Sequence, residues 1–220
     1  EDLKIVPRLM ELLVGSTSPI ILDSALEALR HISSGDERHT QSLLVTLPLL
    51  LWFLDYPDKD IRWKVCWILS NITAGTEEQI QAVIDAAIFP KLFEILKSSP
   101  VDLQKQATYA VCNAAGAGGA TIEQVWYLIN EGVIPLLCSL LSNEQIQSFG
   151  AVTLAGLSAI LKIGKMSGKF EDVIRMSFNC DCMDRIKELQ NHEDFEISAL
   201  SNEIVEGLNP NTSLHESLFV

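Results

Sequence analysis

Phe89-Pro90-Lys91-Leu92-Phe93-Glu94-Ile95-Leu96 is one copy of a pattern that runs through the chain. It occurs also as Val6-Pro7-Arg8-Leu9-Met10-Glu11-Leu12-Leu13, as Leu47-Pro48-Leu49-Leu50-Leu51-Trp52-Phe53-Leu54 and as Ile134-Pro135-Leu136-Leu137-Cys138-Ser139-Leu140-Leu141. A worn copy without proline follows as Met183-Asp184-Arg185-Ile186-Lys187-Glu188-Leu189-Gln190. Proline near the start of each copy suits a first helical turn, where its missing N–H leaves no bond unmade. The apolar residues behind it follow helical spacing. A period near ~40–47 residues is that of helical armadillo and HEAT repeats.

The residues between copies fill out in one way. A longer amphipathic helix is predicted over 20–34, 60–74, 101–115 and 145–163, running up to Gly35, Gly75, Gly116 and Gly164. Glycine there can take the left-handed conformation that closes a helix, as Gly75 is expected to do after Cys66-Trp67-Ile68-Leu69-Ser70-Asn71-Ile72-Thr73-Ala74. Short helices such as Glu77–Asp85 and Ile122–Asn130 lead into the next proline. Three helices per unit in one phase describe an all-α fold, a right-handed α-solenoid of armadillo repeats with about five units. No unit can bury its apolar face alone, so stacked neighbours share one core. The junction over 165–181 is longer than the others, and from Glu171 onward acids outnumber bases. The repeats are expected over 1–208, with 209–220 a tail that leaves them at Asn209-Pro210. A start at Glu1, without methionine, is read as a piece of something longer.

Bulk composition narrows the partners. A formal net charge of -13 argues against nonspecific nucleic-acid binding, which draws on a basic surface. It favours cationic partners such as lysine-rich peptides. The five cysteines, at 66, 112, 138, 180 and 182, are odd in number and lie partly in apolar helical patterns. Reduced thiols are therefore expected rather than a disulfide framework. Cys180-Asp181-Cys182 lacks zinc-site spacing, and no metal or cofactor is expected. The most apolar run, residues 43–54, is broken by Pro48 and falls short of the ~20 residues of a membrane span. Four scattered histidines, no nucleophile elbow and no phosphate-binding loop argue against an enzyme. Gly116–Gly119 reads as a loose helix end.

In the predicted long helices Trp67 and Asn71 stand four apart, hence on one face. The next unit repeats the spacing with Tyr109 and Asn113. In the first unit the matching positions are Glu27 and His31, and in the fourth Ala155 and Ala159, so the ladder stops there. A Trp in a helix is more often partly buried packing than a binding surface. A mid-helix Asn is different, because its side chain competes for backbone bonds and lowers helix propensity. Indole and phenol faces suit the alkyl stems of basic side chains, and a carboxamide offers donor and acceptor to a peptide backbone.

Ile61-Arg62, Cys66-Trp67, Leu69-Ser70-Asn71-Ile72-Thr73-Ala74-Gly75 and Gln79-Ile80-Gln81-Ala82-Val83-Ile84-Asp85 resemble the importin alpha family of nuclear-import adaptors. The likeness extends to Tyr127-Leu128-Ile129-Asn130-Glu131-Gly132, Pro135-Leu136-Leu137-Cys138 and Ile160-Leu161-Lys162-Ile163-Gly164. It continues in Leu189-Gln190-Asn191-His192-Glu193 and Glu196-Ile197. The resemblance covers nearly the whole chain and corresponds to the C-terminal half of the family's armadillo domain.

It implies a groove like the minor site for Lys/Arg-rich nuclear localisation signals. Asn71 and Asn113 would hold the peptide backbone, Trp67 and Tyr109 would sandwich basic side chains, and Asp36 and Glu37 would take the charged heads. Trp63 would add aromatic surface one turn before Trp67, and His31 stands where the family has Asn. The family usually has an acid three residues before each groove aromatic. Here those positions are Lys64 and Gln106, which implies a weakened or altered site.

The implied partners are signal peptides of cargo proteins, importin beta through a segment absent here, and the export receptor for importin alpha at the acidic C-terminal repeats. A protein shuttling between cytoplasm and nucleus is implied, with no nucleic acid and no membrane. The competing expectation is a divergent armadillo scaffold paralogue with a degraded groove.

Overall fold

The computed structural model describes residues 5–117, 119–141, 146–177 and 180–208. Among them there are fourteen α-helices and no strand. The helices follow the predicted phase, each proline-led helix preceding a long one. They begin with α1 (Ile5–Gly15) and α2 (Pro19–Ser33). Next come α3 (Glu37–Ser42), α4 (Leu47–Phe53) and α5 (Lys59–Thr73), then α6 (Glu77–Asp85), α7 (Ile88–Ser98) and α8 (Val101–Cys112). The order repeats as α9 (Ile122–Asn130), α10 (Val133–Ser139) and α11 (Ile146–Met166), and as α12 (Phe170–Ser177), α13 (Cys180–Leu189) and α14 (Phe195–Gly207). The expected tail, 209–220, lies outside the described residues. The chain forms two compact units, Glu1–Val133 and Ile134–Val220.

In the first unit α5 packs against α2 on one side and α8 on the other. Its buried side chains Ile61, Val65, Ile68, Leu69 and Ile72 recur at helical spacing, and full burial of each contributes about 1.5–3 kcal/mol. Leu26, Leu29, Leu50, Phe53, Ile80 and Phe89 complete a continuous buried set.

A second ladder, on the short helices, locks the repeats in register. Thr76 caps α6 and Thr121 caps α9, each with a glutamine three residues on whose N–H the threonine accepts. These glutamines, Gln79 and Gln124, are themselves buried. Gln79 Nε2 donates to Thr40 Oγ1 at 3.0 Å and to the Glu37 carbonyl at 3.2 Å. Gln124 Nε2 donates to the Glu77 carbonyl at 3.0 Å, one repeat further on. Each such bond gives a buried carboxamide a partner in the preceding repeat.

The glycines depart from expectation. Neither Gly35 nor Gly75 adopts the left-handed conformation; among the described residues Gly132 and Gly168 do, with φ of 87° and 69°. Gly75 is needed for space instead. A Cβ there would overlap the Gln79 carboxamide, and the Gly75 carbonyl accepts the Gly119 N–H at 3.0 Å. Nor does Gly164 end its helix. α11 runs on to Met166, because Val173 of α12 packs against the bare Gly164 backbone, where a Cβ would meet Val173 Cγ2 at 2.7 Å.

In the second unit α11 packs along α14 and α12, burying Leu154, Leu157, Ile160, Leu161, Ile197 and Ile204. At 21 residues α11 has the length and composition to cross a membrane, but more than half of its apolar window is buried in the protein. The expectation of reduced thiols is corrected for two cysteines: Cys138 and Cys182 form a disulfide that joins α10 to α13. They are 44 residues apart, about one repeat, so stacking brings the start of one proline-position helix onto the preceding one, with Cα atoms at 5.5 Å. Cys66 and Cys112 are free thiols, both pushed up to about 12 by burial. The side chain of Cys180 lies outside the described residues.

Candidate peptide-binding groove

α5 presents Trp67 and Asn71 between its two neighbours. Toward α8 a slot of about 380 Å³ is lined by Trp67, Asn71, Tyr109 and Asn113, together with Lys105, Gln106 and Ser70. The two aromatic–Asn pairs therefore share one cavity. Both asparagines also reach back one repeat. Asn71 Nδ2 donates to Ser33 Oγ and Asn113 Nδ2 to the Ser70 carbonyl, each at 2.9 Å. Asn71, in the last turn of α5, and Asn113, which ends α8 and opens a π-helical turn over Asn113–Ala117, thus have a structural task here, tying each long helix to the preceding one.

Trp67 is half-buried, with Trp63 beside it at a ring-centroid distance of 5.2 Å. Trp63 lines an adjoining cleft of about 370 Å³ with Lys59, Asp60 and Asp102, and Lys105 and Gln106 line both it and the slot. Over the Trp67 ring sits the guanidinium of Arg30, 5.3 Å from the centroid. Such a cation–π contact contributes about 0.5–2 kcal/mol. Arg30 is held by both carboxylate oxygens of Glu27, at 2.7 and 3.1 Å. Glu27 also meets His31 at 3.1 Å. The hydrogen bond from Arg30 is the main reason the Glu27 carboxyl is held below its usual range, with the charges of Arg30, Lys64 and His31 adding to it. Lys64 pairs with Asp23 and lies 3.8 Å from Glu27. Its side chain is largely buried in that pairing, so its charge is compensated by acids of α2.

On the other flank of Asn71 a cleft of about 680 Å³ is lined by Asp36, Glu37, Glu77, Ser33 and the Gly75 backbone. Asp36 is already engaged. Its carboxylate caps α3 by accepting the backbone N–H groups of Arg38 and His39, and it pairs with both their side chains. The Arg38 and His39 hydrogen bonds hold its carboxyl far below the usual range. Glu37 has no ion-pair partner among the described residues, and neither has Glu77, which the sequence reading had not singled out. His31 is mostly exposed and lines neither the slot nor the cleft. Sequence reasoning also missed Arg30. Its i+3 spacing from Glu27 was visible, but its place over a ring 37 positions on depends on the stacking of repeats. Among the described residues no cluster of three or more His, Cys, Asp or Glu side chains could hold a metal ion.

Helix order and groove together define an armadillo-repeat protein. Two designed proteins of known structure share the fold. One, an armadillo repeat protein in complex with the peptide (KR)4, superposes with a TM-score of 0.74 at 24% identity over 94% of this chain and 86% of its own. Another, designed for modular peptide recognition, superposes at 0.76 with 26% identity over 91% of this chain and 81% of its own.

Within that class the chain is similar over 92% of its length to importin alpha subunits. It is 37% identical over 210 residues to importin subunit alpha-1a of Oryza sativa subsp. japonica, covering 92% of this chain and 39% of that protein. To importin subunit alpha-4 of Arabidopsis thaliana it is 35% identical over 214 residues, covering 92% and 38%. The chain thus spans about two-fifths of the length of these relatives. No protein-family model matches it.

Proposed function

We propose that this chain is the part of a nuclear-import adaptor that holds basic signal peptides of cargo proteins. The observation that carries the reading is the single slot formed by Trp67, Asn71, Tyr109 and Asn113 between α5 and α8. Armadillo designs made for modular peptide recognition share this fold at 26% identity, which supports an extended peptide as the occupant. The asparagine carboxamides hold the peptide backbone, and the aromatic faces take side-chain stems. Glu37 and Glu77, across Asn71, receive basic heads in place of the Asp36 that caps its own helix. The net charge of -13 speeds encounter with a basic partner and selects for it. Binding, not catalysis, is the task.

The importin alpha kinship extends the proposal to importin beta, met through a segment outside these residues, and to an export receptor met by the acidic C-terminal repeats. Such a protein shuttles between cytoplasm and nucleus. A divergent scaffold with a degraded groove is the second reading, favoured by Arg30 lying on the Trp67 ring. Titration of a labelled bipartite basic peptide separates them. The adaptor reading expects saturable binding weakened at least about tenfold by Trp67→Ala and by Asn71→Ala, the size of an interface hot spot. Weak binding that neither substitution changes supports the scaffold.

A further inference from the structure

We propose that the slot between Trp67 and Tyr109 selects a carboxylate side chain, so that the preferred peptide is a basic cluster interrupted by one glutamate. The inference rests on the peptide-groove reading above and concerns one position within it.

The charges around the slot carry the inference. Lys105 is the one charged residue among those lining it. It is half-buried and has no ion-pair partner among the described residues. Gln106, one residue on, is buried and lines the same space, where it offers a carboxamide and no charge. Asp60 and Asp102 line an adjoining cleft that Lys105 and Gln106 share, but neither acid lines the slot, so a lysine or arginine placed in it would meet the Lys105 ammonium with no carboxylate beside it. From the α2 side the Trp67 ring already carries the Arg30 guanidinium, and Glu27 is spent on Arg30, Lys64 and His31. The aromatic surface is thus served by an internal cation, itself paired with Glu27, and gains less from a second cation supplied by the peptide.

A carboxylate reverses each of these terms. It pairs with Lys105, and Asn113 has an N–H beyond the one given to Ser70 to offer it. The cleft on the other flank of Asn71 carries the opposite sign through Glu37 and Glu77. One backbone held at Asn71 therefore passes from an acidic cleft into a basic slot, and its sequence has to change sign with it.

The test walks a single glutamate through an oligolysine peptide, and measures fluorescence anisotropy against the wild type, Lys105→Glu and Lys105→Met. All three proteins are first checked for equal helicity and thermal stability. The expected result is one register at which glutamate binds about fivefold tighter than lysine, the size of a well-formed partly exposed ion pair. That preference reverses in Lys105→Glu and flattens in Lys105→Met, which keeps the stem without the charge. Lysine favoured at every position, or a glutamate preference that survives Lys105→Glu, overturns the proposal. If oligolysine binding is lost on Trp67→Ala while no register favours glutamate, the adaptor reading stands and this inference falls. If no peptide binds the wild type, both fall.

Discussion

α5 and α11 hold the same place in their repeats and use it in opposite ways. On α5 the exposed edge carries Trp67 and Asn71, and the polar side chains reach back one repeat, Asn71 to Ser33 and Lys64 to Asp23. The Asn71 tie uses one N–H of its carboxamide, and the half-buried Trp67 ring stands on the same face. On α11 the same positions are Ala155 and Ala159. Two of its polar side chains meet one acid, Ser158 Oγ donating to Glu203 at 2.7 Å and Lys162 lying 2.6 Å from the same oxygen. Neither alanine offers a ring or a carboxamide. One repeat geometry thus yields an aromatic–Asn pair or a plain helix contact, depending on the residues at these two positions.

The sharpest way to break this comparison acts on the unit that holds α11. Cys138→Ser removes a bond closing a 44-residue separation, which lowers stability by about 3–4 kcal/mol. Differential hydrogen exchange should show the loss in α10–α14 and not in α5 or α8. Peptide affinity should not change.

Next in size is Trp67→Ala, expected to weaken a basic peptide by about 2 kcal/mol, or roughly thirtyfold. The partner experiment on α11, Lys162→Ala, should leave affinity within error. An equal loss from both would erase the distinction between the two helices.

Gln79→Ala probes the register that aligns the groove. It removes the Gln79 bonds to the Thr40 hydroxyl and the Glu37 carbonyl, which keep the bond to each other, at a cost of about 1 kcal/mol in chemical denaturation. It should also weaken peptide binding modestly, because α5 and α8 lose their setting.

The smallest effect is electrostatic. Glu27 sits below its usual range because Arg30 hydrogen-bonds its charged form. A carboxylate with a lowered folded-state pKa stabilises fully above its unfolded value, about 4.3 for glutamate, and loses that contribution as pH falls through the lowered one. Glu27→Gln should therefore cost less than about 1 kcal/mol at neutral pH, as a half-exposed pair does. The difference from wild type should close as the pH is taken below about 4. A gap that persists in acid would mean that Glu27 acts through packing.

These effects also mark how far the sequence could be read. The helices were legible because their signals are local. Glu77–Asp85 and Ile122–Asn130 were bounded at both ends as observed, with a threonine cap at Thr76 and a threonine–glutamine box at Thr121 fixing where each begins. Trp67 and Asn71 were legible as a pair because i, i+4 spacing is enough to put them on one face. What escaped were bonds between residues about one repeat apart: Asn71 to Ser33, Gln79 to Thr40 and Cys138 to Cys182. Local pattern does not encode which side chains stacking will oppose. The glycines were misread in part for a related reason. α5 does end before Gly75, but without the left-handed conformation expected there, and α11 runs through Gly164; at both positions the space glycine leaves admits a neighbouring side chain, Gln79 or Val173.

The most direct test of the groove is to watch its own side chains while a basic peptide is titrated in. In a nitrogen–proton correlation spectrum the indole N–H of Trp67 and the carboxamides of Asn71 and Asn113 give assignable signals. The account predicts that these shift together and saturate at one peptide concentration, while the indoles of Trp52 and Trp126 and the amides of α11–α14 stay in place. Saturable shifts confined to α11–α14, with Trp67, Asn71 and Asn113 unmoved, would contradict it.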